Sequence, residues 1–112
     1  MFDPRRRPWR VIPLLAVLAS ASTAGPAAAE TKTIYIDGMQ FQPPTLTVHR
    51  GDTIIWRNRD FFPHNVTASN GAFKSGDIAA NGGSWKYQAG RQGEFPYICT
   101  IHPTMKGTLI VK

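Results

Sequence analysis

From residue 30 onward the chain alternates. Ile34 and Ile36 share one face of the stretch Thr31 to Asp37, Leu46 and Val48 share a face of the next, and Ile54 and Trp56 share a face of Thr53 to Asn58. A period of two belongs to half-buried strands, and no sustained helical stripe competes with it. His64 to Ala68, a short stretch near Phe73, Ser84 to Gln88, Glu94 to Ile98 and Gly107 to Val111 bring the expected number of strands to seven or eight. Gly38, Gly51-Asp52, Asn70-Gly71, Asn81-Gly82-Gly83 and Gly90 to Gly93 punctuate them. Pro43-Pro44 predicts an irregular entry to the second strand, at an edge or a bulge.

So many short strands divided by Gly/Asn turns suit two sheets packed face to face, which predicts an all-β sandwich. Its core is expected to comprise Ile34, Ile36, Leu46, Val48, Ile54, Trp56, Val66, Trp85, Tyr87, Phe95, Tyr97, Leu109 and Val111. Burying the large aromatics helps a small domain reach stability. Trp56 and Trp85 are assigned to this core by their strand phase rather than to a recognition surface.

The N-terminus follows a different pattern. Arg5, Arg6, Arg7 and Arg10 precede an apolar run from Val11 to Ala21, and small residues follow to Ala27-Ala28-Ala29. This reads as a secretory signal peptide over residues 1 to 29, cleaved after Ala29. The run is broken by Pro13 and falls short of the about 20 apolar residues that span a bilayer. The adjacent arginines also open a twin-arginine route, although the residues around them match it poorly.

Removing 29 of 112 residues leaves 83, Glu30 to Lys112, which is one small domain with no room for a second. The remaining part keeps nine of thirteen Lys and Arg and six of seven Asp and Glu, so the formal charge falls from +6 to +3. Much of the basicity therefore belongs to the leader. No Lys/Arg cluster supports nucleic-acid binding, and a mildly positive surface bears only on docking.

Export makes the single cysteine informative, because one thiol cannot form an internal disulfide in an oxidising compartment. It sits in Cys99-Thr100-Ile101-His102-Pro103-Thr104-Met105. Simple burial accounts for the cysteine alone, whereas metal ligation accounts for Cys99, His102 and Met105 together. Thiolate, imidazole and a weak thioether form the donor set of a blue-copper centre, and such a centre needs a second histidine. His64, in Phe62-Pro63-His64-Asn65-Val66, is the candidate. His49 lies out of phase with Leu46 and Val48 just before a turn, so it is expected to face solvent. Met39, in the loop before the second strand, is assigned to filling core space rather than to the metal end.

These segments resemble a known family. Leu46 to Asn58, Pro63-His64-Asn65-Val66, and Gly93 to Cys99 with the Cys-x-x-His-x-x-Met loop are similar to the plastocyanin/azurin cupredoxins. The two-residue spacing between loop ligands is most like the amicyanin branch. The resemblance spans essentially all of residues 30 to 112 and implies a Greek-key β-sandwich with one type 1 copper ion held by His64, Cys99, His102 and Met105. It also implies one-electron transfer in the periplasm between redox proteins, such as a dehydrogenase donor and a cytochrome acceptor, docking on a monomer near His102. By the same resemblance Asn65 and Thr100 hydrogen-bond across the site. Phe61, Phe62, Pro63 and Pro103 flank the histidines as an apolar docking patch.

Other chemistries fare worse. An oxidase or nitrite reductase needs further copper sites, and three histidines cannot build them. Zinc seldom accepts a thioether. A binuclear copper centre needs a second cysteine. The runner-up is a periplasmic copper-binding or delivery protein, which would use similar soft ligands but release Cu(I).

Overall fold

Every strand that carries an alternating apolar face pairs so that this face turns inward. The computed structural model describes residues 28–112. Residues 1–27, which carry nearly all of the expected leader, lie outside the described residues. The strands are β1 (Thr31–Asp37), β2 (Gln40–Gln42), β3 (Thr45–Val48), β4 (Thr53–Asn58), β5 (Thr67–Ala68), β6 (Ser84–Gln88), β7 (Gly93–Ile98) and β8 (Lys106–Val111). They form two four-stranded sheets in the orders β2-β1-β4-β6 and β3-β8-β7-β5. This is the expected all-β sandwich, with eight strands.

Each sheet is built on a parallel pair, β1 with β4 and β3 with β8, and the remaining pairings are antiparallel. The register aligns the apolar positions. Ile34 lies opposite Trp56, which lies opposite Trp85, while Leu46 lies opposite Leu109, which lies opposite Phe95. A slip of one residue would turn these faces to water, so burial enforces the register.

Ten of the expected core residues are buried, namely Ile34, Ile36, Val48, Ile54, Trp56, Val66, Phe95, Tyr97, Leu109 and Val111. Leu46, Trp85 and Tyr87 only pack partly against that core. Phe41, Phe73 and Ile78 join it from short or irregular segments that carry no periodicity to read. Two strand expectations are corrected. Only Thr67–Ala68 of the His64 to Ala68 stretch is a strand, and the stretch near Phe73 makes only an isolated bridge from Lys74 to Thr67. In place of ladder bonds, the Asn65 and Val66 amides go to side-chain acceptors, Cys99 Sγ and Ser75 Oγ. Conversely, β2 is a strand that the sequence pattern missed. The Gln42–Pro43 peptide is cis and lies at the irregular entry expected from Pro43-Pro44.

Tyr97 organises the centre of the sandwich. Its ring makes edge-to-face contacts with Phe41 at 4.8 Å and with Trp56 at 5.6 Å between centroids, in the favourable range for aromatic pairs. It also lies across Gly107, where an added Cβ would come within 2.3 Å of the ring. Glycine is therefore required on β8 by the closeness of a side chain. The Tyr97 hydroxyl and the Trp56 indole N–H are buried without hydrogen-bond partners. Burial pushes the phenol up to about 12, and the neighbouring indole offsets only part of that, since no hydrogen bond of ordinary geometry joins the two.

Two outcomes follow from this packing. Gly107→Ala should cost about 1–3 kcal/mol through overpacking, read as a lower urea midpoint at unchanged slope. The Tyr97 pKa, raised in the folded state relative to an unfolded value near 10, implies stability that is complete below pH 10 and is lost as pH climbs towards about 12. Tyr97→Phe should flatten that alkaline decline, measured by denaturant titration at successive pH values.

Candidate metal centre

Two segments far apart in sequence meet at one end of the sandwich. The first, Asn58 to Val66, leaves β4 and runs towards β5. The second, Cys99 to Met105, joins β7 to β8 and is closed tightly by backbone bonds from Cys99 N to Met105 O at 3.1 Å and from Met105 N to His102 O at 2.9 Å. Ladder bonds of β7 and β8 bring the two ends of that loop together, which sets Cys99 beside Met105 with His102 in the turn between them.

The donor atoms of His64, Cys99 and His102 all lie within 4.8 Å of one another. Cys99 Sγ is 3.8 Å from His64 Nδ1 and 4.0 Å from His102 Nδ1. His64 and Cys99 are fully buried, Met105 is buried beside them, and His102 is half-exposed. Both imidazoles thus present the same nitrogen to the thiol. Thiol, two imidazoles and a thioether fit copper, because soft sulfur and borderline nitrogen donors in a His₂Cys arrangement with an axial Met suit both of its oxidation states. His64, Cys99, His102 and Met105 are positioned as a copper-binding site.

The two segments are stitched together beside the donors. Asn65 Nδ2 donates to Thr100 Oγ1 at 2.8 Å, and Asn65 Oδ1 accepts from Thr100 N at 3.0 Å and from Thr67 Oγ1 at 2.9 Å. The Asn65 amide points at Cys99 Sγ at 3.4 Å.

A residue that the sequence reading missed completes the site. Asp60, four residues before His64, holds His64 Nε2 at 2.8 Å. Its Oδ1 accepts from Gly38 N at 2.7 Å and its Oδ2 from Met39 N at 2.9 Å. Partial burial alone would raise its pKa, but the Met39 amide, His64 and the Gly38 amide outweigh this and hold it below the usual carboxylate value. A carboxylate accepts, so the contact suits an Nε2–H of His64 donating to Asp60, and Nδ1 is the ring nitrogen that faces Cys99. The i, i+4 spacing of Asp and His was the available signal, but in a loop it does not by itself imply contact.

Two residues set apart in the sequence analysis divide. His49 is 76% exposed in its side chain and far from any donor cluster, as expected. Met39 corrects its expectation, because it does not fill the core. A left-handed turn at Gly38 and Met39, both with φ near +60°, lifts it to 37% exposure, where it lines a cavity of about 400 Å³ with Phe41, Thr104 and Met105. Phe62, whose ring lies 6.5 Å from that of half-exposed His102, is 58% exposed, its neighbours Phe61 and Pro63 are exposed, and so are Ile101 and Pro103 on either side of His102.

Comparison with known proteins agrees with this geometry. A cupredoxin-like domain model matches residues 10–111. Amicyanin from Paracoccus versutus is 30% identical over 94 residues, spanning 80% of this chain and 70% of that protein. A solved amicyanin variant in its Cu(I) form superimposes with a TM-score of 0.67 at 29% identity, over 73% of this chain and 82% of that one. A copper-containing nitrite reductase from Thermus scotoductus SA-01 reaches a TM-score of 0.68 at 26% identity, but the match covers only 22% of the reductase chain.

If Asn65 is the stitch between the ligand segments, Asn65→Ala should destabilise the metal-free protein by about 1–3 kcal/mol, since it removes three part-buried hydrogen bonds to Thr100 and Thr67. Urea denaturation of apoprotein measures this directly, without any contribution from bound metal.

Proposed function

The chain belongs to the cupredoxin-like electron-transfer family, and on that premise we propose that it is an exported type 1 copper protein carrying single electrons between redox proteins. The convergence of the His64, Cys99 and His102 donors within 4.8 Å, at one end of a rigid sandwich, carries this reading. Bound there, copper supplies a one-electron Cu(II)/Cu(I) couple.

Each residue has a distinct task. Cys99 would give the sulfur donor, with the Asn65 amide directed at it. His64 and His102 would offer imidazole Nδ1 donors to a bound copper ion, and Met105 a weak thioether. Burial of Cys99, His64 and Met105 keeps water from the donors, while the Asn65–Thr100 bonds hold the ligand segments in place whether or not metal is present. A site that is already formed changes little between oxidation states, which favours fast electron exchange.

Half-exposed His102 is the route in and out. The apolar surface formed by Phe61, Phe62, Ile101, Pro63 and Pro103 surrounds it, and a redox partner seated there would bring its own centre near the imidazole edge. The Phe62 and His102 rings lie 6.5 Å apart, which ties that patch to the ligand.

Export to the periplasm is part of this reading. It rests on the basic and apolar leader and on a detail at the expected cleavage point. The Glu30 amide already donates to the buried Asp52 carboxylate at 2.9 Å, so an α-ammonium formed there by cleavage would meet a ready counter-charge. Protein recovered from the periplasm should begin at Glu30 by mass spectrometry, and retention of residues 1 to 29 would defeat the leader reading.

Protein reconstituted with Cu(II) should turn intensely blue, and Cys99→Ser should abolish the colour. Met105→Gln should keep copper but lower the reduction potential, because a harder axial oxygen favours Cu(II). Cyclic voltammetry with metal analysis before and after cycling separates carriage from delivery. A reversible couple with copper retained supports electron transfer, whereas loss of Cu(I) on reduction would mark a delivery protein.

A further inference from the structure

Among the described residues, Asp60 is the carboxylate in contact with a histidine of the metal site, and its surroundings are built rather than incidental. The His64 side chain is fully buried and that of Asp60 is 12% exposed, so the 2.8 Å contact between them is largely shielded from water. Three backbone amides and one amide side chain hold Asp60 still. Gly38 N and Met39 N donate to its two oxygens, its own amide donates to Asn58 Oδ1 at 2.9 Å, and its carbonyl accepts from Asn81 N at 2.9 Å. Asn58 is itself fully buried and anchored through Nδ2 to Phe62 O at 2.7 Å.

A two-residue hairpin turn joins β1 to β2 here, and Gly38 and Met39 both take the φ near +60° that such a turn requires. In that geometry the two consecutive amides face the Asp60 carboxylate, one on each oxygen.

We propose that Asp60 is a positioning and charge-tuning residue of the copper couple, holding His64 as an Nδ1 donor and keeping a fixed negative charge behind the imidazole that favours Cu(II) over Cu(I). This rests on the copper reading above. The positioning half follows from the proton inventory, since an acceptor-only carboxylate on Nε2 leaves Nδ1 as the one free lone pair. The tuning half follows from electrostatics. A carboxylate hydrogen-bonded to a ligating imidazole makes it a stronger donor, and a nearby negative charge opposes adding an electron to the metal. Burial enlarges both effects because the intervening dielectric is low. The Gly38–Met39 turn thereby becomes part of the metal centre, although neither residue offers a ligand.

Asp60→Asn tests this, since it keeps the size and one oxygen but removes the charge. At a fixed applied potential the ratio of oxidised to reduced protein should fall about tenfold, an upward shift of about 59 mV for one electron. Cu(II) affinity measured by chelator competition should fall about 10- to 100-fold. Asp60→Glu, which keeps the charge, should return the ratio to within about threefold of the parent. Long-range ¹⁵N–¹H NMR of the parent apoprotein should show His64 as the Nε2–H tautomer with a slowly exchanging proton. This last measurement needs neither copper nor a stable variant.

The outcomes separate cleanly. An apoprotein His64 protonated on Nδ1 overturns the positioning role, and a folded, blue Asp60→Asn protein with unchanged ratio and affinity overturns the tuning role. If Asp60→Asn fails to fold, Asp60→Glu decides the tuning, because a ratio displaced tenfold despite the retained charge would overturn it. A parent protein that takes up Cu(II) without turning blue would instead defeat the copper reading itself.

Discussion

The structure depends on holding two segments, 35 residues apart in sequence, at a separation that a sulfur and two imidazole nitrogens can share. Left to themselves, two loops would not keep such an arrangement, because ordering them costs conformational entropy and drives like dipoles together. Asn65 meets that cost with bonds to Thr100 and Thr67, and its amide directs a proton at the Cys99 sulfur. The β7 and β8 ladder closes the other loop. Everything else in the fold serves to make those two anchor points rigid.

Rigidity comes from the aromatic centre behind the site. Tyr97, two residues before Cys99, packs on Trp56 and Phe41 and occupies the space above Gly107. β7 therefore cannot shift without disturbing both sheets, and Cys99 inherits that fixity. The unpartnered Tyr97 hydroxyl and Trp56 indole show that shape complementarity outweighed hydrogen bonding at this point. The same centre holds β4, whose end at Asn58 begins the segment that carries Asp60 and His64.

The end of the molecule opposite this packing is asymmetric in a useful way. His64 is sealed and backed by a carboxylate, whereas His102 reaches the surface among exposed Phe61, Phe62 and Ile101. One histidine is thus governed by the protein interior and the other by whatever approaches from outside. A carrier profits from that division, since the buried side can set the energetics while the exposed side makes contact with partners.

The sequence by itself determined the alternation that makes two sheets, ten of the core positions, and the Cys99, His102 and Met105 part of the candidate ligand set. Each of these is written in local chemistry: period two for strands, and Cys-x-x-His-x-x-Met for a loop that must turn its donors inward. What the tertiary structure alone decided has no such local signature. Phe73 and Ile78 enter the core from irregular chain, Met39 is lifted away from it by a left-handed turn, and Asn65 and Val66 spend their amides on side chains rather than on a strand ladder. Asp60 is the clearest case. Its partners are Gly38 and Met39, more than twenty residues earlier, and His64 four residues later in a loop, so only the closing of β1 beside β4 brings them together. Ligand type is a property of residues, but the charge and proton that stand behind a ligand are properties of what the fold places next to it.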